Sequence, residues 1–434
     1  MSEVDDFSEA DYQDYWVLSP EERRQKIQDE KTPEEIKALL LYQQGRLLVA
    51  EALDEAALVS YNEAVACKPD YYHAWLERGE VLSKLDRDAE AIASFDRALQ
   101  IEPDYLPAWR KRGDVLLKLK RYSEAIASYD TVLEHQPDEP KVWRKRAKAL
   151  YQLGHYEDAL TSYDRAVCLK PTDFSLWKSR GSLLSELNQH REAIKSFDRA
   201  LEINPEAHEI WNLRAVLLAK LERHEEAIVS CDRAIELKPD APDIWRTRAI
   251  VLKGLNRYEE EVDSCDRALE LKPDDSPLWK QRASALKQLS RYEEAAHSYD
   301  RALALEPQNY KLWHQRGLVL RQLERFEGSI ANFEHALEIQ PDFYPATRSK
   351  LFTLIKSGKI ANYISGRTTL IERQKLLNDL KNELNVFSKT KLPALVAIAL
   401  VVLASTHNRV AALTVGAIFL LITLASDWLE ESRR

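Results

Sequence analysis

Eleven glycines in 434 residues, one methionine at position 1 and four cysteines deny several protein classes their raw material. Phosphate-cradling loops need glycine-rich runs, and none is present. No Cys-x-x-Cys pair occurs, which removes the usual structural zinc spacings and a disulfide-dense secreted scaffold. His-Glu-x-x-His, Gly-Lys-Ser and nucleophile-elbow patterns are missing too. No metal, cofactor or catalytic residue is therefore expected, and the chain does not read as an enzyme. Lys and Arg number 62 against 71 Asp and Glu, a net charge of −9, so the whole molecule is not built to coat nucleic acid. The opening MSEVDDFSEADYQDYW has neither the basic nor the apolar stretch of a signal peptide.

What the chain does have is a period. Trp75, Trp109, Trp143, Trp177, Trp211, Trp245, Trp279 and Trp313 stand 34 residues apart, and prolines from Pro69 to Pro341 keep the same step. Counting from Trp75, Gly79 and Leu82 share one side of a helix with the Trp. Ala91, Ile92, Phe95, Ala98 and Leu99 form a second stripe. The polar Asp86-Arg87-Asp88 between them predicts two antiparallel helices, and Pro103 marks the end of the second. Small residues at +4 and +16 let the helices approach closely.

Trp, a small residue, a large one, Ala, an aromatic, Ala and Pro at this spacing resemble the tetratricopeptide repeat (TPR) family. The resemblance covers 38–343 as nine repeats; in the first, Leu41 takes the Trp place, followed by Gly45, Leu48, Ala57, Tyr61, Ala64 and Pro69. It implies an all-α, right-handed superhelix (an α-solenoid) of nine helix-turn-helix repeats. Arg stands at +3 where the family usually has Leu. Glu261 and Ser329 replace Ala at +16, which puts close packing of the seventh and ninth repeats in question. Cys231 and Cys265 replace the aromatic at +20 and read as small core fillers.

A residue that recurs in every repeat serves what every repeat shares, which is packing. The eight Trp are therefore expected in the core, not as a ligand-stacking ladder. Arg78, Arg112, Arg146, Arg180, Arg214, Arg248, Arg282 and Arg316 at +3 suggest either a basic spine or ion pairs with the recurring Asp96, Asp130, Asp164, Asp198, Asp232, Asp266 and Asp300. Ion pairs, with each Arg stem packed on its Trp, are the simpler reading.

Partner specificity belongs where repeats differ. Offsets −2, +1, +5, +8 and +9 lie about 130° round the first helix from the Trp, and the family resemblance implies that this face lines the concave surface. Fourteen basic residues occupy it against five acidic ones, on a chain of opposite net sign. Arg110, Lys118, Lys141, Arg144, Lys148, Lys178, Arg246, Lys253, Lys280, Lys287, Lys311 and Arg321 are the expected partner-binding residues, richest from Arg110 to Lys178. An acidic peptide or acidic protein surface is the expected partner; solvated cations of the kind any helix carries are the competing reading. Nucleic acid is disfavoured, because Tyr151 is the only aromatic on the stripe. Some TPR domains clamp a C-terminal carboxylate with Lys and Asn; here no Asn stands at +5, and Asn212 replaces Lys at +1.

Residues 1–37 form an acidic tail and a cap helix. The first 16 carry six acids, no base, and Phe7, Tyr12, Tyr15 and Trp16; the tail is either disordered or a pseudo-ligand for the basic face. Ser19-Pro20-Glu21-Glu22 and Thr32-Pro33-Glu34-Glu35 both read as helix starts. Residues 344–388 give a closing helix over 344–356 and a further helix from Thr369, with Leu370, Leu377, Leu380, Leu384 and Phe387 on one face. It reads as a short coiled coil, a second cap or, favoured by its position beside the final segment, an amphipathic juxtamembrane helix. Residues 389–434 hold two apolar runs, 392–404 and 410–425, split by a polar turn with Arg409. They read as a two-helix transmembrane hairpin across 392–428, with a re-entrant anchor and a buried soluble pair left open. Lys389, Lys391, Arg433 and Arg434 put the repeats and both termini on the cytoplasmic side. The resulting expectation is a membrane-tethered, non-enzymatic scaffold. Asp-Arg-Ala-Leu-Glu-Leu-Lys-Pro-Asp at 266–274 is similar to phrases in bacterial, particularly cyanobacterial, arrays, so an assembly factor for a photosynthetic membrane complex is one alternative. A soluble scaffold that self-assembles through its apolar tail is another. Neither the partner nor the oligomeric state is fixed by the sequence.

Overall fold

The structure, a computed structural model, describes residues 18–357. The acidic first sixteen residues, the helix expected from Thr369 and the hairpin expected over 389–434 lie outside the described residues. Among the described residues there are twenty helices and no strand, and no helix is long and apolar enough to cross a membrane. The chain divides into two compact units, residues 1–237 and 238–434.

In the first unit, α1 (Pro20–Gln28) precedes six helix pairs: α2 (Glu34–Ala50) with α3 (Asp54–Cys67), α4 (Tyr72–Lys84) with α5 (Asp88–Ile101), α6 (Leu106–Lys118) with α7 (Tyr122–His135), α8 (Pro140–Gln152) with α9 (Tyr156–Leu169), α10 (Phe174–Glu186) with α11 (His190–Ile203), and α12 (His208–Lys220) with α13 (His224–Leu237). Successive first helices also touch, α2 with α4, α4 with α6 and α6 with α8. The second unit has three pairs: α14 (Pro242–Gly254) with α15 (Tyr258–Leu271), α16 (Ser276–Gln288) with α17 (Tyr292–Leu305), and α18 (Tyr310–Gln322) with α19 (Phe326–Ile339). It closes on α20 (Tyr344–Lys356), packed on α18 and α19.

Local chemistry sets the boundaries. The Ser19 hydroxyl accepts from the Glu22 amide, and the Glu22 carboxylate accepts from the Ser19 amide, the capping box expected at α1. At α2 the expectation is off by one residue: Pro33 is the N-cap, no side chain caps the helix, and Thr32 is buried instead. Two residues past each first helix the chain takes a positive φ, as at Asp86 (57°) and Lys120 (61°), and of these residues only Gly154 is a glycine. The following amides turn back, Arg87 N–H to the Leu82 carbonyl and Asp86 N–H to that of Ser83. This satisfies the last carbonyls and reverses the chain.

In five of the nine pairs a ring lies over an absent side chain. A Cβ on Gly79 would fall 2.4 Å from Phe95, and one on Gly45, Gly113 or Gly181 would fall 2.6 Å from Tyr61, Tyr129 or Phe197. Those rings are wholly or almost wholly buried. In the second unit Gly317 meets Phe333 in the same way, while Ala249 packs in one cluster with buried Cys265. The seventh and ninth repeats both form despite their substitutions. The Ser329 hydroxyl donates to the Gly317 carbonyl at 2.8 Å. Glu261 is 1% exposed and accepts from the Gln281 amide at 2.9 Å, while its other oxygen has no hydrogen-bond partner.

Gly113→Ala drives a methyl into the Tyr129 ring and is expected to cost about 1–3 kcal/mol in denaturant unfolding. Gly328→Ala, whose Cβ would have 3.4 Å of clearance, should be neutral or slightly stabilising; equal losses would refute the ring-fit account. Burial pushes the Glu261 carboxyl above its ordinary value of 4.5, against the opposing Gln281 hydrogen bond. A group that holds its proton more tightly when folded loses stability as pH rises from its unfolded to its folded value. Glu261→Gln should therefore unfold later than the parent at pH 7, with the gap closing toward pH 4.5 and below. A gap independent of pH would count against that assignment.

Candidate functional site

The recurring Arg side chains are already engaged. In the first unit Arg112, Arg146, Arg180 and Arg214 lie over their own Trp rings, 5.7–6.0 Å from guanidinium carbon to ring centroid. Each Nε donates to Asp96, Asp130, Asp164 or Asp198 of the preceding repeat at 2.5–2.6 Å. Each Nη1 donates to Ser128, Ser162, Ser196 or Ser230 of its own second helix at 2.6–2.8 Å. In the second unit Arg282 pairs with Asp266 and Ser298, and Arg316 with Asp300 and Asn332. The expected Arg–Asp pairing holds, with the Arg on the Trp. The Trp rings are half-buried, short of the core position expected: each indole N–H donates to the carbonyl of the Pro six residues earlier, at 2.7–3.0 Å in the first unit.

The expected partner-binding residues fall into both units. In the first, several are tied to acids. Arg110 lies 3.7 Å from Glu139, and Lys178 pairs with Glu209. Lys118 donates to Asp86 at 2.6 Å and also pairs with Asp88, and these hydrogen bonds raise its ammonium above the ordinary lysine value. Lys84, a further stripe residue, lies 3.6 Å from Asp54. α8 is different. Lys141, Arg144 and Lys148 are spaced three and four residues apart and so share one face. Lys141 and Lys148 are exposed and form no ion pair among the described residues, and Arg144 donates to a neutral partner, the Ser175 hydroxyl, at 2.8 Å. Further along that face the Tyr151 hydroxyl bonds to Glu186 at 2.7 Å.

Arg110, Lys141, Arg144 and Lys170 line a cleft of about 420 Å³ with Asp138, Glu139 and Asp173. Burial alone would raise the Asp173 carboxyl. Hydrogen bonds from the Ser175 hydroxyl and amide, with Lys170 beside it, leave it below its ordinary value. Asp173 is thus occupied as the cap of α10, and the cleft keeps positive charge on its α8 side. Such a surface can hold carboxylates by charge-assisted hydrogen bonds. Among the described residues no group of His, Cys, Asp and Glu could hold a metal.

In the second unit Arg246 lies 3.7 Å from Asp275, and Lys287 donates to Gln315 at 3.3 Å. Lys311 sits over the Tyr310 ring at 5.8 Å, and Arg321 over Phe352 at 5.1 Å, with burial lowering the Arg321 pKa from its ordinary value. Lys253 and Lys280 are exposed and form no ion pair among the described residues.

Two features escaped the sequence reading. The Ser bonded by seven of the eight Arg recurs with period 34, with Asn332 in the last place, a signal present in the chain but hidden by how ordinary Ser is. A ring cluster also escaped that reading: Tyr71, Tyr72 and Tyr105 lie three or four residues before their Trp, off the stripe's offsets, and only His73, at −2, falls on one. Tyr72 and Tyr105 meet edge-on at 4.7 Å, with His73 at 4.1 and 5.4 Å from them, and Tyr42 packs against Tyr71 at 5.2 Å.

A sequence profile described as the tetratricopeptide repeat matches residues 36–105, 110–174, 179–242 and 280–342, together more than half of the chain. Among solved structures the chain is similar to YrrB, described as a TPR protein with an unusual peptide-binding site (21% identity, 43% of this chain and 97% of that one, TM-score 0.40). It is similar to MamA from Desulfovibrio magneticus RS-1 (21% identity, 39% and 96%, TM-score 0.38). It is also similar to the C-terminal part of a TPR repeat-containing protein from Cytophaga hutchinsonii (18% identity, 55% and 97%, TM-score 0.49). No curated protein matches.

Proposed function

Because the chain belongs to the tetratricopeptide repeat family, a family of protein-binding scaffolds, we propose that it is a non-enzymatic adaptor holding an acidic segment of a partner protein against α8. The observation that carries this reading is the cation row Lys141, Arg144 and Lys148, which lacks the carboxylate partners met by Arg110, Lys118 and Lys178. An extended acidic peptide along the first helices would bring its carboxylates to these groups while Arg110 and Lys170 close the cleft. The charges are exposed, so binding weakens as salt screens them.

The second element is a tether. The apolar runs 392–404 and 410–425 support a membrane hairpin that holds the repeats at the cytoplasmic face. Such an anchor raises the local concentration of bound partner beside membrane proteins, which suits a role in assembling membrane complexes.

Charge reversal at Lys141 and Arg144 tests the groove. With a labelled peptide of alternating Glu and Gly as probe, K141E/R144E should bind at least tenfold more weakly than the parent, about 1.4 kcal/mol. K311E should change little, and equal losses in both would overturn the assignment to α8. Alkaline carbonate tests the tether: the full chain should stay in the membrane pellet, while a chain ending at residue 388 should be released. Release of both would leave the apolar tail as an assembly interface.

A further inference from the structure

Toward the start of the first unit the cation row on α8 gives way to a surface of different chemistry. Tyr105 directly precedes α6, and Arg110 lies on that helix little more than one turn later. Tyr72 and His73 open α4, the preceding first helix, and their rings meet Tyr105 at 4.7 and 5.4 Å. These three rings are half-buried, and His73 meets the buried Tyr71 edge-on at 6.1 Å. Because α4 touches α6 and α6 touches α8, aromatic rings and cations sit on one run of neighbouring first helices. A ligand that satisfies both must interleave carboxylates with aromatic side chains.

The chain carries such a segment. Residues 1–17 hold Glu3, Asp5, Asp6, Glu9, Asp11 and Asp14, together with Phe7, Tyr12, Tyr15 and Trp16, and no Lys or Arg. The described chain begins at Leu18, whose carbonyl accepts from Arg23 of α1, and α1 packs on α2. From α2 to α8 is three helix spacings of about 8–10 Å. Seventeen extended residues reach about 55 Å, which covers that distance with length to spare.

We propose that residues 1–17 of the same chain lie on the face formed by Tyr72, His73, Tyr105, Arg110, Lys141 and Arg144, and there compete with the acidic partner segment. The proposal rests on α8 being an acid-binding face, and it adds two things: an aromatic requirement and a built-in competitor. A tethered segment acts at an effective concentration in the millimolar range. Even a cis affinity of about 100 μM would then lower partner affinity about tenfold. Added salt, by screening the tail as well as the partner, should narrow that difference.

The test uses the full chain, the same chain lacking residues 2–17, and a full-length variant with Phe7, Tyr12, Tyr15 and Trp16 all changed to Ser. None of these changes touches a described helix, so all three should keep a folded repeat array, checked by cooperative thermal unfolding. Two labelled probes are titrated: a synthetic peptide of residues 1–17, and the Glu/Gly peptide that has no aromatics. The tail peptide should bind the shortened chain at least tenfold more tightly than the full chain, with the Ser variant between them, and R144E in the shortened chain should abolish binding. Equal affinity for full and shortened chains would overturn the proposal, as would indifference to R144E. A deficit in the full chain that vanishes on dilution would also overturn it, because the tail would then be acting on a second copy. If the Glu/Gly peptide binds in an Arg144-dependent way and the tail peptide does not, the proposal fails alone. If neither binds, the acid-binding face fails with it.

Discussion

In five of the nine repeats the distance between the two helices is set by a ring that occupies the place of a missing Cβ; in the other four Ala147, Ala215, Ala249 or Ala283 stands at that position. Tyr61, Phe95, Tyr129, Phe197 and Phe333 each lie where a side chain on the facing glycine would have to be, so the backbones approach more closely than two ordinary side chains allow. A ring seated over one glycine also fixes the axial register of the pair, because sliding by a residue would bring a Cβ into it. The remaining order follows from this register. The reversing turn at residues such as Asp86 falls where it must, the Trp reaches its Pro carbonyl, and the outward offsets of the first helix acquire a fixed direction. Glu261, in place of a small residue, shows the tolerance of the arrangement: the helix forms, but a carboxyl oxygen is left buried without a hydrogen-bond partner.

Repeats are joined by charge as well as by apolar contact. Arg112, Arg146, Arg180, Arg214 and Arg282 each spend their donors on an Asp behind and a Ser beside and lie near an indole. A half-buried guanidinium is costly to desolvate, and removing one partner would leave the others unmatched. The same residue type at +1 of α8 has no such duty. Recurrence therefore separates structural cations from those open to a ligand, and net charge alone does not.

This explains what was legible in the sequence. The period, the helix pairs, the capping box at Ser19 and the closing helix at Tyr344 depend on contacts that are local or repeat in register, and those leave a pattern in the chain. The electrostatics of the groove did not. Glu139 faces Arg110, Asp86 faces Lys118 and Asp275 faces Arg246, yet none of these acids lies on the offsets that define the stripe. Each belongs to a neighbouring repeat, about 30 residues away in sequence. Counting charge along one helical face overstates the field for that reason. The ring cluster around Tyr72 was missed for a related one: Tyr71, Tyr72 and Tyr105 stand three or four residues before their Trp, off the counted offsets, and His73, at −2, gives no charge to count.

A binding face in such an array is made as much by the loss of an acid as by the gain of a base. Arg144 and Lys178 occupy the same place in successive repeats, and each reaches the residue two before the next Trp. For Lys178 that residue is Glu209, and the charge is neutralised. For Arg144 it is Ser175, a hydroxyl that takes one hydrogen bond and leaves the charge. Asp173, an acid of the same cleft, is held by Ser175 and Lys170 as the cap of α10. One Ser in place of Glu thus leaves Arg144 its charge without disturbing the ring fit or the Arg–Asp–Ser ties. Because neither position takes part in those ties, the array can change its ligand preference without changing its fold.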